Sequence, residues 1–264
     1  MQNNIIRILA IGDVVGKSGV ERVTGELYKI KAAHNADIVL VNGENSSDYN
    51  GLDLASAKAI LDGGADVITG GNHTLTLREI YPMLEESDRL LRPANLPPLS
   101  PGKGYTIIDG KPGIKILVLN VIGQVFMSPA DNPFMSAERI LRENEGKYDL
   151  AVADIHAEAT SEKIAFGLWF DGKIHCIYGT HTHVPTADET ILPNGTGYIT
   201  DIGMCGIREG TVLGVKAEPV IKKFVTGVHE RFEKVTGKAE INGVLFEVNV
   251  TTKRCVTIKR IKID

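Results

Sequence analysis

The residues of this chain with the most chemical capacity stand where apolar runs end. Asp13 follows RILAIG, Glu44 and Asn45 follow ADIVLVNG, and Asn72 and His73 follow ADVITGG. Further on, YDLAVADI runs into His156 and KIHCIYGT into His181, with His183 two residues later. Calcium and magnesium favour all-oxygen shells, so a set that mixes carboxylates, amides and imidazoles points to borderline divalent metals such as manganese, iron or zinc. With His73 set aside, seven candidate ligands remain, more than one tetrahedral ion takes. Two ions sharing a carboxylate would use them, and such pairs sit roughly 3.5–4 Å apart, clamping the attacking and leaving oxygens of an in-line displacement.

Each of these residues has a simpler use when taken alone. Asp13 could cap a helix, Asn72 could set a turn, and a lone histidine in a loop is commonly structural. Their joint occurrence at five strand ends favours a site. His181 and His183, bracketed by Gly179 and Pro185, are placed to direct two imidazoles to the same side of an extended segment. His34 and His229 lie in polar helical surroundings and His175 inside a strand, so all three read as structural. The stretch GDVVGKSG resembles a phosphate-binding loop at first sight. That pattern needs four residues between its glycines, and Gly12 and Gly16 enclose three. Asp13 therefore carries the chemistry there, and Lys17 and Ser18 open the following helix.

The elements that must position these groups are legible as periodicity. Continuous Val- and Ile-rich runs read as strands buried on both faces. Helical spacing falls at 19–34, 52–64, 77–91, 136–145 and 159–169. Strands alternating with helices imply βαβ units and a largely parallel sheet, in which ligands bind outside the carboxyl ends of the strands. GVLFEVNV and RCVTIKRIKI, separated by a polar turn, read as an antiparallel hairpin, and LRPANLPPLSPGKG as an ordered loop. No repeat or low-complexity tract divides the 264 residues, so a single domain over 1–264 is expected.

Composition narrows the setting. A net charge of −4 announces no general nucleic-acid or membrane field. The N-terminal MQNNIIRILA runs directly into a core strand rather than a signal peptide, which points to the cytoplasm. Cys176, Cys205 and Cys255 form no Cys-x-x-Cys pair and are expected to be reduced.

The blocks GDVVG, NGEN, GGNHT, RPAN, DIHAEATSEK, GTHTHVPTAD and TDIGM, in this order, resemble the YmdB family of bacterial calcineurin-like metallophosphoesterases through nearly the whole chain. The resemblance implies a four-layer α/β/β/α sandwich with mixed sheets, in place of one doubly wound sheet. It implies a dinuclear site, with Asp13, Glu44, Asn45 and His183 on one ion, Asn72, His156 and His181 on the other, and Glu44 bridging. Iron or manganese would occupy it, with zinc an alternative. The implied activity is hydrolysis of phosphodiesters, cyclic nucleotides (2′,3′ or 3′,5′) among them, by metal-activated hydroxide with His73 as general acid. RNA ends are a further substrate class and association into homo-oligomers is left open. Val15 stands where the wider superfamily has histidine, and NGEN replaces its Gly-Asp-x-x-Asp block; both changes are shared with the YmdB branch. Leu75 and Thr76 depart from the branch, where an aromatic and an aspartate often follow Gly-Asn-His-Thr. Glu158 and Lys163 are candidates to orient His156 or to begin the following helix as capping charges, Asp188 and Asp201 to hydrogen-bond the ligating histidines, and Arg92 and Asn95 to line the cleft or to serve the loop. Two rivals stay open: a phosphomonoesterase or nucleotidase on the same site, and a regulatory metal-binding protein with vestigial catalysis.

Overall fold

Alternation along the first strand decides the layering. In the computed structural model, which describes residues 4–48, 50–111, 113–231 and 235–264, strand β1 (Ile5–Ile11) sends Ile6, Ile8 and Ala10 into one apolar cluster and Leu9 and Ile11 into another. A strand with two apolar faces needs a partner on each side. The first half of the chain supplies one of them. It continues through β2 (Asp13–Val14), α1 (Gly16–Ala33), β3 (Ile38–Asn42), α2 (Leu54–Asp62), β4 (Val67–Thr69) and α3 (Tyr81–Glu86). The second half begins with β5 (Tyr105–Asp109), β6 (Lys115–Ile122), α4 (Pro133–Glu143), β7 (Leu150–His156), α5 (Thr160–Trp169) and β8 (Cys176–Thr180). Then come β9 (Thr190–Ile191), β10 (Gly197–Ile199), β11 (Met204–Cys205), β12 (Thr211–Val212), β13 (Val215–Lys216) and α6 (Ala217–Thr226). The antiparallel pair β14 (Ile241–Asn249) and β15 (Arg254–Ile263) closes the chain.

Two mixed sheets result, ordered β15-β14-β1-β3-β4 and β5-β6-β7-β8-β10-β9. Ile6, Ile8 and Ala10 meet Ile116, Val118, Leu150 and Val152 between the sheets. Leu9 and Ile11 pack with Val20, Val23, Leu27 and Ile60 from α1 and α2, whereas Leu117, Leu119, Ala151 and Ala153 pack with Ile140 of α4, Phe166 of α5 and Phe170 just past its end. Each Val, Leu, Ile or Phe side chain among these, fully buried, contributes roughly 1.5–3 kcal/mol. The four layers are those of the α/β/β/α sandwich. The single doubly wound sheet that periodicity suggested is not formed, because β14 adds antiparallel beside β1 and starts a sheet separate from the one containing β6 to β8.

One expected helix is shorter than its pattern. Residues 77–91 give a single 3-10 turn at Arg78–Ile80 and then α3, which has Pro82 near its start. Beyond it, Leu90 and Leu91 are taken into bridges with Ile68 and Lys103. Among the described residues no helix is long and apolar enough to cross a membrane. All three cysteines are free and buried.

Candidate metal centre

Parallel strands that start together end together, and the polar residues follow those ends. Asp13 lies in β2 just past β1, Glu44 two residues past β3, Asn72 three past β4, His156 closes β7, and His181 follows β8 directly. Asp13 is not a helix cap: Val15 holds that place on α1, with no side-chain bond.

The packed sheets bring all eight candidates together. One oxygen or ring nitrogen from each of Glu44, His156 and His181 lies within 4.8 Å of the others, and the same holds for Asp13, Glu44 and His183. Glu44 belongs to both groups. His156 Nε2 is 2.9 Å from Asn72 Oδ1, 3.2 Å from His181 Nδ1 and 3.5 Å from Glu44 Oε2. Asn45 Nδ2 lies 3.2 Å from His183 Nε2 and donates to Glu44 Oε1 at 2.6 Å. His73 is fixed through its backbone, whose N–H donates to Glu44 Oε2 at 2.8 Å.

The electrostatics fit a bound cation. Asp13 and Glu44 are fully or almost fully buried, and Asp13 Oδ1 has no hydrogen-bond partner among the described residues. Burial raises Asp13 from 3.8 to about 8, with Asp201 adding to the effect, and raises Glu44 well above its usual value, with Asp13 adding. Burial also lowers His156, His181 and His183, which favours neutral rings with a free lone pair. Buried carboxylates beside neutral imidazoles, one oxygen orphaned, are what a cation requires and what desolvation otherwise penalises.

Supporting groups lie partly where expected and partly elsewhere. His156 Nδ1 is 2.9 Å from Thr180 Oγ1, which donates to Asp154 Oδ1 at 2.7 Å. Asp154 also accepts from Asn42 at 2.9 Å and from Thr69, so one carboxylate ties β3, β4, β7 and β8 together beneath the cluster. Sequence reasoning missed this residue, and no local pattern marks it, since Asp154 sits inside an apolar run. Glu158 Oε2 pairs with His181 Nε2 at 3.0 Å rather than with His156. Lys163 neither caps α5 nor touches His156: it is fully buried, 2.7 Å from Asp201. Asp201 binds no histidine ring, but accepts from the backbone and hydroxyl of Thr182, the residue between His181 and His183. Asp188 holds Thr186 and Thr200. Asn95 is a buried brace between the Ile122 and Asp131 backbones, and Arg92 faces a different cavity. Cys205 is packed, and His175 is structural, accepting from the Ala151 N–H at 2.9 Å.

The segment carrying His181 and His183 is not extended, contrary to the spacing argument. Their φ angles are 94° and 64°, in the left-handed region that side chains rarely adopt. The bonds to Asp201, with another from His181 N–H to Asp13 Oδ2 at 3.0 Å, hold this shape. As a result the two rings reach different halves of the cluster around Glu44. Gly71 is required on the opposite side, because a Cβ there would strike His156 Nε2 and Glu44 Oε2.

A four-layer sandwich with carboxylates, amides and imidazoles gathered at its strand ends is shared with phosphodiesterases and phosphatases, and with these relatives it marks the chain as a phosphoesterase, a hydrolase of phosphoric esters. Within that class the chain belongs to the YmdB-like protein family, whose model matches residues 9–261. It is 41% identical over 259 residues to a 2′,3′-cyclic-nucleotide 2′-phosphodiesterase of Bacillus subtilis, covering 98% of this chain and 97% of that protein. It is 38% identical to a putative phosphatase/phosphodiesterase of Mycoplasma pneumoniae, covering 98% and 94%. Among solved structures, one described as a novel phosphatase from Mycoplasma pneumoniae superimposes with a TM-score of 0.93 at 38% identity, over 100% of this chain and 94% of that one. A hypothetical protein from Thermus thermophilus gives 0.90 at 37% identity, over 98% and 99%.

Proposed function

We propose that the chain is a dinuclear-metal phosphodiesterase acting on cyclic nucleotides, the 2′,3′ class first. The observation that carries this reading is the sharing of Glu44 by two ligand groups. The assignment places Asp13, Glu44, Asn45 and His183 on one ion and Asn72, His156 and His181 on the other, with Glu44 bridging. Iron and manganese suit this mixed donor set, and zinc is the alternative. When bound, such a pair offsets phosphate charge and makes water a nucleophile near neutral pH. The similarity to the Bacillus subtilis phosphodiesterase supports the substrate class.

The remaining steps belong to side chains of this protein. A cavity of about 600 Å³ opens beside Asn45, His73 and His183, walled by Ile207, Leu213 and Val215 and by Lys17. It is sized for the nucleoside while the phosphate meets the metal centre. His73 stands at the junction, free of the ligand set, and protonates the leaving oxygen. Burial and the neighbouring His181 and His183 hold its pKa below the usual value. An anionic phosphate works the other way, favouring the protonated ring an acid needs.

His73→Ala should keep full metal content and lose about 10²–10⁴-fold in turnover on nucleotide diesters, the ordinary worth of a general acid. On nitrophenyl esters, whose leaving group needs no proton, the loss should be far smaller. Equal losses on both overturn the acid role. The assay panel is 2′,3′- and 3′,5′-cyclic nucleotides, bis-nitrophenyl phosphate, nitrophenyl phosphate and RNA, with manganese added. Preference for monoesters would favour a phosphatase, and hydrolysis of no member by metal-loaded protein would favour a regulatory role.

A further inference from the structure

A second cavity, of about 730 Å³, lies between the segment 92–98 and α4, and no residue of the metal centre lines it. Its wall contains a buried guanidinium. Arg92 is 7% exposed, and none of the ion pairs among the described residues includes it. Its Nη1 donates to the Pro93 carbonyl at 2.7 Å, whereas its Nε is buried without a partner. Burial lowers its pKa from the ordinary value, and no acidic group opposes that effect. A guanidinium offers five N–H donors and keeps its proton in proteins, so burying it unpaired costs free energy that a bound counter-charge would offset.

Two more guanidiniums share the cavity. Arg139 and Arg142, both exposed, sit three residues apart on α4, a spacing that puts them on one helix face. Two acidic residues, Glu138 and Asp131, stand on the same wall against the three arginines, and neither forms an ion pair with any of them among the described residues. Glu138 pairs with Lys173 at 3.7 Å, and Asp131 is exposed, where water screens its carboxylate. Arg139 pairs with Glu143 at 3.8 Å, an exposed pair of the kind worth little and open to exchange for another anion.

We propose that this cavity is a second anion site, in which Arg92, Arg139 and Arg142 bind a phosphate or phosphate monoester. A phosphate has enough oxygens to accept from three guanidiniums, and the planar fork of arginine matches it in pairs. The site stands apart from the metal centre and does not rest on the hydrolase reading. It is nevertheless connected to it: the Ala94 N–H donates to the Asn120 carbonyl at 2.8 Å, and Asn120 Oδ1 accepts from the Gly70 N–H at 3.2 Å, two residues before Asn72.

The test is calorimetric titration of inorganic phosphate into metal-loaded, full-length protein, with the double variant Arg139→Gln/Arg142→Gln and the single variant Arg92→Gln. In the double variant, whose changes are on the surface, one phosphate per chain should bind at least about tenfold more weakly. Its metal content and hydrolysis of bis-nitrophenyl phosphate should stay at wild-type levels. Arg92→Gln should lose the same binding event. Phosphate should also raise the melting temperature of the wild type more than that of the double variant. A phosphate isotherm unchanged in the double variant overturns the site, and displacement of the bound phosphate by equimolar acetate overturns its assignment to phosphate.

Discussion

His156 can present Nε2 to the metal centre only if Nδ1 keeps its proton, and Thr180 decides that. The Thr180 hydroxyl has one hydrogen, which it donates to Asp154 at 2.7 Å, so toward His156 Nδ1 at 2.9 Å it can only accept. The ring is thereby held in the Nδ1–H tautomer with its lone pair directed at Asn72, Glu44 and His181. Thr180→Val removes the acceptor while keeping the shape. Metal affinity should fall about 10–100-fold, the usual effect of losing a partner to a ligating histidine. Thr180→Ser should recover most of it. Competition titration with a chromophoric chelator reads both variants, and a Val variant that binds metal like wild type refutes the relay.

Between elements, the buried Lys163–Asp201 pair joins α5 to the segment that carries His181 and His183. Both side chains are fully buried at 2.7 Å, and Asp201 orders Thr182 from the same oxygen. Removing one member of such a pair leaves the other charge unpaired in the interior, so Lys163→Met should destabilise the fold by about 3–5 kcal/mol in urea unfolding. Adding Asp201→Asn should return part of that loss. An unchanged unfolding midpoint for the single variant would rule out the brace. This element also marks where sequence reading stops. The strand ends were legible because runs buried on both faces lack alternation and stop at polar residues, which is how Asp13, Glu44, Asn72 and His156 stand out. The burial of Lys163 and its pairing with Asp201 were not, since a lysine early in a helix has the same pattern whether it faces solvent or the core. The left-handed φ of His181 and His183 was equally hidden, because contacts with Asp201 and Asp13, both distant in sequence, impose it. Residues 77–91 read as one helix because propensity is local, while the bridges that claim Leu90 and Leu91 are not.

At the scale of the whole molecule, the metal centre straddles the seam between the two sheets. Asp13 and Glu44 follow strands of one sheet, and His156 and His181 belong to strand ends of the other. Without cations this seam is a stability problem that grows with pH. Asp13 is raised from 3.8 to about 8 in the folded chain, so between those values the folded state binds more protons than the unfolded state. Stability must then fall as pH rises through the window, with the favourable contribution complete only below the unfolded value. Glu44, raised in the same direction, adds to the slope. Cations held by these carboxylates would replace the protons, with a stabilisation that grows with occupancy and reaches about 2.7 kcal/mol at one hundred times the dissociation constant. Thermal melts of chelator-treated protein should therefore show a midpoint that declines from pH 5 to 8, and manganese-loaded protein a midpoint that declines less, so that the gap between them widens with pH. Asp13→Asn, neutral throughout, should flatten the chelator-treated curve while losing metal. A gap that stays constant across this range would mean that the two buried carboxylates are not what the cations neutralise.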